Sequence, residues 1–259
     1  MSPVEYRGKK PKLERPSWIK VAVPGDDSLK RVGELMSKGG LHTVCQEAHC
    51  PNIYECWQRG TATFLILGEV CTRKCGFCAV SKGSPTPVDP DEPGELAEAA
   101  ARLDLKHVVI TSVDRDDLPD GGAGQFAKTL EALREKLPSA TTEVLVPDFR
   151  PDPVLGLEIV LNANPTIFSH NVETVRRLYP AARPGSNYDH SVSLLASAAE
   201  KIGGERVKSS LILGLGEQED EVKETIQDLL CKLCDPLLWV MIRSVLHMFQ
   251  QSKCTSRFL

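Results

Sequence analysis

Three cysteines stand close together in the segment CTRKCGFC, where Cys71, Cys75 and Cys78 are separated by three and two residues. Thr72, Arg73, Lys74 and Gly76 make the segment polar, which does not suit cysteines acting as small buried apolar residues. Three thiolates in one tight loop suit an iron–sulfur cluster, because soft metal centres prefer sulfur ligands. A four-iron cluster held by three protein thiolates keeps one iron open to a substrate or cofactor. A zinc site normally takes a fourth protein ligand, and none stands nearby in the sequence. A second triplet, Cys45, Cys50 and Cys56 in CQEAHCPNIYEC, has gaps of four and five and is less diagnostic. With His42 or His49 it could also form a Cys3His zinc site. Pro51 and Asn52 give it a turn-rich loop able to wrap an ion.

The rest of the chain supplies the frame for these residues. A short apolar run, Thr61–Gly68 (TATFLILG), reads as a strand leading directly into CTRKCGFC. Further strands are expected at His107–Thr111, Thr142–Val146, Thr166–Ser169 and Val207–Leu213. Helices are expected at Glu95–Leu103, Gln125–Leu137, Val154–Asn162, Val172–Tyr179, His190–Ile202 and Gln218–Leu230. Strands of about five residues separated by helices of about ten to fifteen argue for repeated β/α units and a parallel sheet, as a barrel or an open sheet. The first forty residues read as a proline-punctuated arm with a short helix at Ser28–Ser37. Beyond Asp235 one more strand, Leu238–Arg243, and a frayed tail are expected.

Composition closes off several classes. Hydrophobic residues make up 41% and charged residues 25% of 259, which excludes a disordered tail, a collagen-like fibre and a membrane bundle. With 31 Lys+Arg against 35 Asp+Glu, nothing neutralises phosphates in bulk, so no nucleic-acid partner is expected. The longest apolar run, Leu237–Ile242, is far short of the roughly 20 residues that span a bilayer, and no membrane partner is expected. Nine cysteines, six of them within Cys45–Cys78, are too few and too unevenly placed for a secreted disulfide scaffold. The opening segment lacks a signal peptide's apolar core and carries Glu5 and Glu14, so a cytoplasmic, reducing location is expected. Cys231 and Cys234 form a C-x-x-C inside a helical pattern and read as incidental helix cysteines; Cys254 has no visible partner.

The cysteine spacing, with Phe77 before the last thiol, resembles the signature of radical S-adenosylmethionine enzymes. In that superfamily the three thiolates hold a 4Fe–4S cluster, the methionine end of the cofactor chelates the open iron, and reduction releases a 5′-deoxyadenosyl radical. Such a radical can attack an unactivated C–H bond, which side-chain acid–base groups cannot. The two triplets together, CQEAHCPNIYECW and then TATFLILGEVCTRKCGFC, resemble the lipoyl synthase family more narrowly. The likeness continues in TSVDRDDLPDGGA (Thr111–Ala123), EVLVPDFR (Glu143–Arg150), HNVETVRRLY (His170–Tyr179) and SSLILGLGE (Ser209–Glu217). With PSWIK around Trp18 it runs from about Pro16 to Asp235.

The resemblance implies an enzyme that inserts two sulfur atoms at C6 and C8 of an octanoyl chain on a lysine of a lipoyl carrier domain. Such carriers are the E2 subunits of 2-oxoacid dehydrogenases and the glycine cleavage H protein. The electron donor would be a protein such as ferredoxin or flavodoxin. The implied cofactors are two 4Fe–4S clusters and S-adenosylmethionine. Cys71, Cys75 and Cys78 would hold the radical-generating cluster; Cys45, Cys50 and Cys56 would hold an auxiliary cluster that is consumed as sulfur donor. The implied fold is α/β, a partial (β/α) TIM-type barrel with an N-terminal cluster-binding extension and its chemistry at the C-terminal strand ends. Its expected divisions are 1–60, 61–235 and 236–259.

By the same resemblance Thr111 and Ser112 would meet the methionine end of the cofactor, although each could be a plain strand-end cap. Asp114 opens a charge run, Asp114–Asp117, that is either a solvated turn or an active-site loop. Asn171 and Glu173 would bind the ribose or the methionine group, with a helix N-cap as the plainer role for Asn171. Ile212, Gly214 and Glu217 resemble an adenine-contacting segment, though glycines there could simply permit a turn. Arg183 would contact cofactor or substrate. The family's later Arg-Ser-Ser-Tyr motif, whose serine completes the auxiliary cluster, has no counterpart here, since Arg243-Ser244 is followed by Val245. The expectation is a shifted or alternatively ended reading frame, with weak auxiliary-cluster binding and low or absent turnover; the alternatives are an inactive, C-terminally truncated form or a non-catalytic metal-binding module. The downstream frames of the nucleotide sequence decide that point.

Overall fold

The computed structural model describes residues 42–44 and 53–233. Cys45, Cys50, His49, Cys234, Cys254, the expected helix at 28–37 and the expected strand at 238–243 lie outside the described residues. A six-stranded sheet runs β1 (His42–Thr43), β2 (Thr61–Ile66), β5 (His107–Ser112), β6 (Thr141–Leu145), β7 (Ile167–Ser169) and β8 (Val207–Lys208). Only the β1–β2 pairing is antiparallel. From β2 onward the strands lie side by side in chain order with no reversal. A doubly wound sheet needs a reversal to place helices on both faces; this order keeps winding one way, as in a barrel.

The register sorts the side chains. Phe64 lies opposite Ile110, Ile110 opposite Val144, Val144 opposite Phe168, and Phe168 opposite Val207. All five are buried on one face. They join α2 (Glu92–Arg102), α3 (Ala123–Lys136), α4 (Pro153–Asn162) and α6 (Tyr188–Ile202) in one core, through residues such as Leu96, Phe126, Leu130, Leu157 and Leu195. Phe126, Leu130 and Leu133 repeat at i, i+4 and i+7, so one stripe of α3 faces the sheet. α7 (Glu219–Leu233) uses the same spacing in Val222, Ile226 and Leu229. A four-residue helix, α5, spans Tyr179–Ala182. The other sheet face carries Leu65, Thr111, Leu145, Ser169 and Lys208 in register and turns toward the hollow of the partial barrel.

Three local expectations are corrected. Val172–Tyr179 is not a helix: Thr174 N–H donates to Val172 O (2.8 Å) in a tight turn at Glu173, and helical geometry begins only at a 3-10 turn, Arg176–Leu178. β-Branched Val172, Thr174 and Val175 disfavour a helix. The neighbouring chain also offers partners, because Glu173 N–H donates to Ser210 O (3.0 Å) and Ile212 N–H to Glu173 O (2.7 Å). The strand expected at Val207–Leu213 is correspondingly short, ending at Lys208, with an isolated bridge between Leu211 and Glu173. Cys56 sits on a helix, α1 (Ile53–Gln58), rather than in a loop.

A small second sheet went unread in the sequence. β3 (Val70–Cys71) pairs in parallel with β4 (Ser81–Lys82), and Gly83 N–H donates to Cys71 O at 3.1 Å. This clip closes the base of the cysteine loop.

In the hollow, Glu143 ties four strands together. It accepts from Ser169 Oγ (2.8 Å) and Lys208 Nζ (2.9 and 3.1 Å), and His107 Nε2 lies 3.6 Å away. Burial alone would raise this carboxyl; His107, Lys208 and Ser169 more than offset it and hold the pKa at about 2. A pKa depressed in the folded state gives stability that is present above the ordinary glutamate pKa of about 4.5 and lost as pH falls toward 2. Glu143→Gln should therefore cost on the order of 2 kcal/mol at pH 7 and progressively less toward pH 3. Urea unfolding at the two pH values checks this; an equal deficit at both would contradict it.

Candidate active site and cofactor cradle

The cysteine loop lies across the C-terminal ends of β2 and β5, where Leu65, Thr111 and Ser112 finish their strands. Beneath it is a cavity of about 290 Å³. Cys71, Cys75 and Cys78 all open onto it, as do Thr111, Ser112, Asp114, Asn171, Glu173 and Arg183. Nine residues picked from separate sequence segments thus line one cavity. Among the apolar lining are Leu65, Phe77, Val80 and Val146.

Ile212, Gly214 and Glu217 do not line this cavity. Ile212 is bonded through its N–H to the Glu173 carbonyl. The Glu217 carboxylate folds back on its own loop, accepting from the N–H groups of Gly214 and Leu215. Gly214 has φ +104°, a conformation that favours glycine for turning. Of the other sequence-named ligands, Cys56 is half-buried on α1, and Cys45 and Cys50 are outside the described residues.

Cys71 is held from two sides. The N–H groups of Arg73 and Asp114 point at its sulfur at 3.4 and 3.3 Å. Burial still pushes its thiol up to about 11, and the Asp114 carboxylate, 3.8 Å away, works in the same direction. Cys75 is likewise raised by burial. Such thiols lose their protons when a metal cation supplies the compensating charge.

The end of β5 separates two neighbouring hydroxyls. Thr111 Oγ1 donates to Leu145 O at 2.9 Å and so stitches β5 to β6. Ser112 Oγ is buried and has no hydrogen-bond partner among the described residues. An orphaned hydroxyl on a cavity wall costs free energy until a ligand satisfies it. Glu173 adds a second such mark. Its φ of +67° is uncommon for a non-glycine residue, and burial raises its carboxyl above the ordinary range despite a hydrogen bond from Asn171. Asn171 caps no helix, since helical geometry begins only at Arg176.

The residues that orient the loop were missed in the sequence. Arg73, only 5% exposed, reads there as loop polarity. It donates to Asp116 through Nε and Nη2 (2.6 and 2.9 Å) and to Asp148 through Nη1 (2.7 Å). Asp148 is fully buried and also accepts from Ser186 Oγ at 2.8 Å. Its other oxygen lies 3.4 Å from Arg183 Nη2 and 3.5 Å from His170 Nε2. Burial alone would raise the Asp148 carboxyl; the His170 ring and the Arg183 and Arg73 guanidiniums hold it well below the usual carboxylate range. Burial pushes His170 down to about 4, so the ring is neutral. Its Nδ1 faces the Val146 carbonyl at 2.9 Å, which can only accept, so Nδ1 carries the proton. A signal did exist: an aspartate directly after an apolar run, in EVLVPDFR, must be paired if buried. The Asp114–Asp117 run is divided: Asp116 and Asp117 are exposed, while Arg115 is buried against Leu67 O and Asp117.

These residues fit an iron–sulfur cluster with an amino-acid-bearing cofactor: thiols for iron, and an unpartnered hydroxyl and a buried carboxylate on the same wall. Among the described residues no three Cys, His, Asp or Glu side chains converge as the ligands of one ion do. The thiolates of a cubane each take a different iron and need no such convergence.

A chain-ordered parallel sheet whose strand ends open on a three-cysteine loop defines the radical S-adenosylmethionine class, and the family model described as the radical SAM superfamily matches residues 65–229. Over 225 residues the chain is 51% identical to the lipoyl synthase of Methylococcus capsulatus, covering 87% of this chain and 70% of that one. It is 48% identical over 230 residues to the lipoyl synthase of Rubrobacter xylanophilus, covering 88% and 71%. The chain belongs to the lipoyl synthase family. Among solved structures, the FeFe-hydrogenase maturase HydG shares the fold at 11% identity with a TM-score of 0.50, covering 81% of this chain and 52% of that one. No described helix is long and apolar enough to cross a membrane.

Ser112→Ala removes an unsatisfied buried hydroxyl, so the ligand-free protein should be stabilised by about 1 kcal/mol. Retention of S-adenosylmethionine by the reconstituted protein should weaken roughly tenfold, the worth of one hydrogen bond of about 1.4 kcal/mol. Calorimetric titration beside thermal unfolding checks both; unchanged cofactor affinity would contradict the assignment.

Proposed function

We propose that the protein inserts two sulfur atoms, at C6 and C8, into an octanoyl chain carried on a lysine of a lipoyl carrier domain. Membership of the lipoyl synthase family makes it a sulfurtransferase of the radical S-adenosylmethionine type, with 4Fe–4S clusters and S-adenosylmethionine as cofactors. The observation that carries the reading is the meeting, in one cavity, of the three CTRKCGFC thiols with Ser112, Asn171, Glu173 and Arg183.

On this reading Cys71, Cys75 and Cys78 hold one cluster, and Cys45, Cys50 and Cys56 hold the auxiliary one. When bound, the first cluster and S-adenosylmethionine supply a carbon radical able to take hydrogen from an unactivated C–H bond. Glu173, oriented by Asn171, receives the amine end of the cofactor, and Ser112 donates to its carboxylate end. Arg183 offers that carboxylate a guanidinium, which also bonds the Asn171 carbonyl at 3.0 Å and so cannot swing away freely. Thr111 stays with its strand. Ile212, Gly214 and Glu217 form the turn beside Glu173, from which adenine is reached. Leu65, Phe77, Val80 and Val146 keep water from the reacting carbon.

The division of labour follows the chain: 1–60 for the arm and auxiliary-cluster loop, 61–235 for the partial barrel, 236–259 for the divergent tail. The substrates are octanoylated E2 subunits and glycine cleavage H protein, with ferredoxin or flavodoxin as donor, in the cytoplasm.

Anaerobic reconstitution with iron and sulfide counting tests this. Between about four and eight irons per chain, deoxyadenosine and a low yield of lipoyl product from an octanoyl-lysine peptide are expected. The triple variant Cys71→Ala, Cys75→Ala, Cys78→Ala should lose about four irons and release no deoxyadenosine. Full iron with no product from the parent chain would overturn the sulfur-insertion reading, and zinc in place of iron would overturn the cluster reading.

A further inference from the structure

Asp148 is not part of the cavity lining, yet each of its partners except Ser186 is. Arg73 lies between two of the cysteines, and Arg183 and His170 form the facing wall. The Asp148 side chain is 0% exposed and that of Arg73 4%, so water screens their charges little. Both carboxylate oxygens are engaged, Oδ2 by Arg73 Nη1 and Ser186 Oγ, and Oδ1 beside Arg183 Nη2 and His170 Nε2. Arg183 Nη1 is itself shared between Asn171 O, Tyr179 Oη and Ser191 Oγ. Ser191 Oγ in turn reaches His170 Nε2 at 3.0 Å. The carboxylate therefore fixes the cysteine loop and the opposite wall to one point, while adding one negative charge behind both cations.

We infer that Asp148 is a positioning residue that sets the reduction potential of the cluster on Cys71, Cys75 and Cys78 by balancing the charges of Arg73 and Arg183. Reduction adds one electron, hence one negative charge, to the cluster. Cations close by favour the reduced form; a carboxylate that balances them disfavours it and keeps the reduced cluster a strong reductant. The inference rests on the cluster assignment made above, and the experiment separates the two.

The test is a mediated, anaerobic redox titration of the reconstituted holoenzyme. It is followed by electron paramagnetic resonance on the signal that responds to added S-adenosylmethionine. Asp148→Asn removes one of the carboxylates on Arg73, leaving Asp116 in place, together with the aspartate beside Arg183, and should move the midpoint potential upward. Arg73→Gln leaves Asp148 and Asp116 without that cation and should move it downward. A merely structural role would lower cluster content in both variants without displacing the potential in opposite directions. Should Asp148→Asn fail to fold, Arg73→Gln still decides by its sign. Unchanged potentials, or shifts of one sign in both, would overturn the inference while leaving the cluster assignment standing. A parent protein without a cofactor-responsive cluster signal would instead overturn the assignment on which it rests.

Discussion

A guanidinium and a carboxylate, both almost wholly removed from water, meet where the cysteine loop touches the end of the third parallel strand. The Arg73–Asp148 pair is expensive to bury and is tolerated because the remaining donors and acceptors are also filled, by Asp116, Ser186 and Arg183. Arrangements of this kind are close to all-or-none. Withdrawing one member leaves its buried partners short of a counter-charge, so the loop has one placement rather than several. A loop of polar residues with a glycine would otherwise have ample freedom to wander.

The scaffold makes that placement useful. Sequential parallel strands bring the ends of β2, β5, β6 and β7 to one rim. The residues just past each end then converge without long loops: Cys71 after β2, Asp114 after β5, Asp148 after β6, Asn171 and Glu173 after β7. The β3–β4 clip closes the cysteine loop at its base while the ion pair holds its middle. Lower in the hollow, Glu143 joins β5 to β8 through polar contacts where a closed barrel would use packed side chains. The apolar layer outside the sheet carries the stability; the polar layers inside carry orientation.

Much of this was legible in the sequence, because the strong signals are local. Strand periodicity fixed β2, β5, β6 and β7 to within a residue or two, and the cysteine spacing named its own chemistry. The chain from Val172 to Thr174 misled because its helix-compatible pattern is overridden by hydrogen bonds to Ser209–Ile212, some forty residues away. Arg73 and Asp148 were invisible for a related reason. A charged residue looks solvent-exposed until its partner, 75 positions distant, is known. Thr111 and Ser112 show the same limit at short range: adjacent, alike in chemistry, one satisfied by a carbonyl on the next strand and the other by nothing among the described residues. Sequence spacing identifies the ligands of a site, whereas three-dimensional accounting of buried polar groups identifies what positions them.

The central claim is that the three loop cysteines, fixed by this buried network, form an iron site opening on the cavity with Ser112 and Glu173. Anomalous diffraction at the iron edge, from crystals of anaerobically reconstituted protein, tests it most directly. The account requires a compact iron peak within bonding reach of Cys71, Cys75 and Cys78, on the cavity side of the loop. A peak at the zinc edge there, or iron confined to other cysteines, would contradict it.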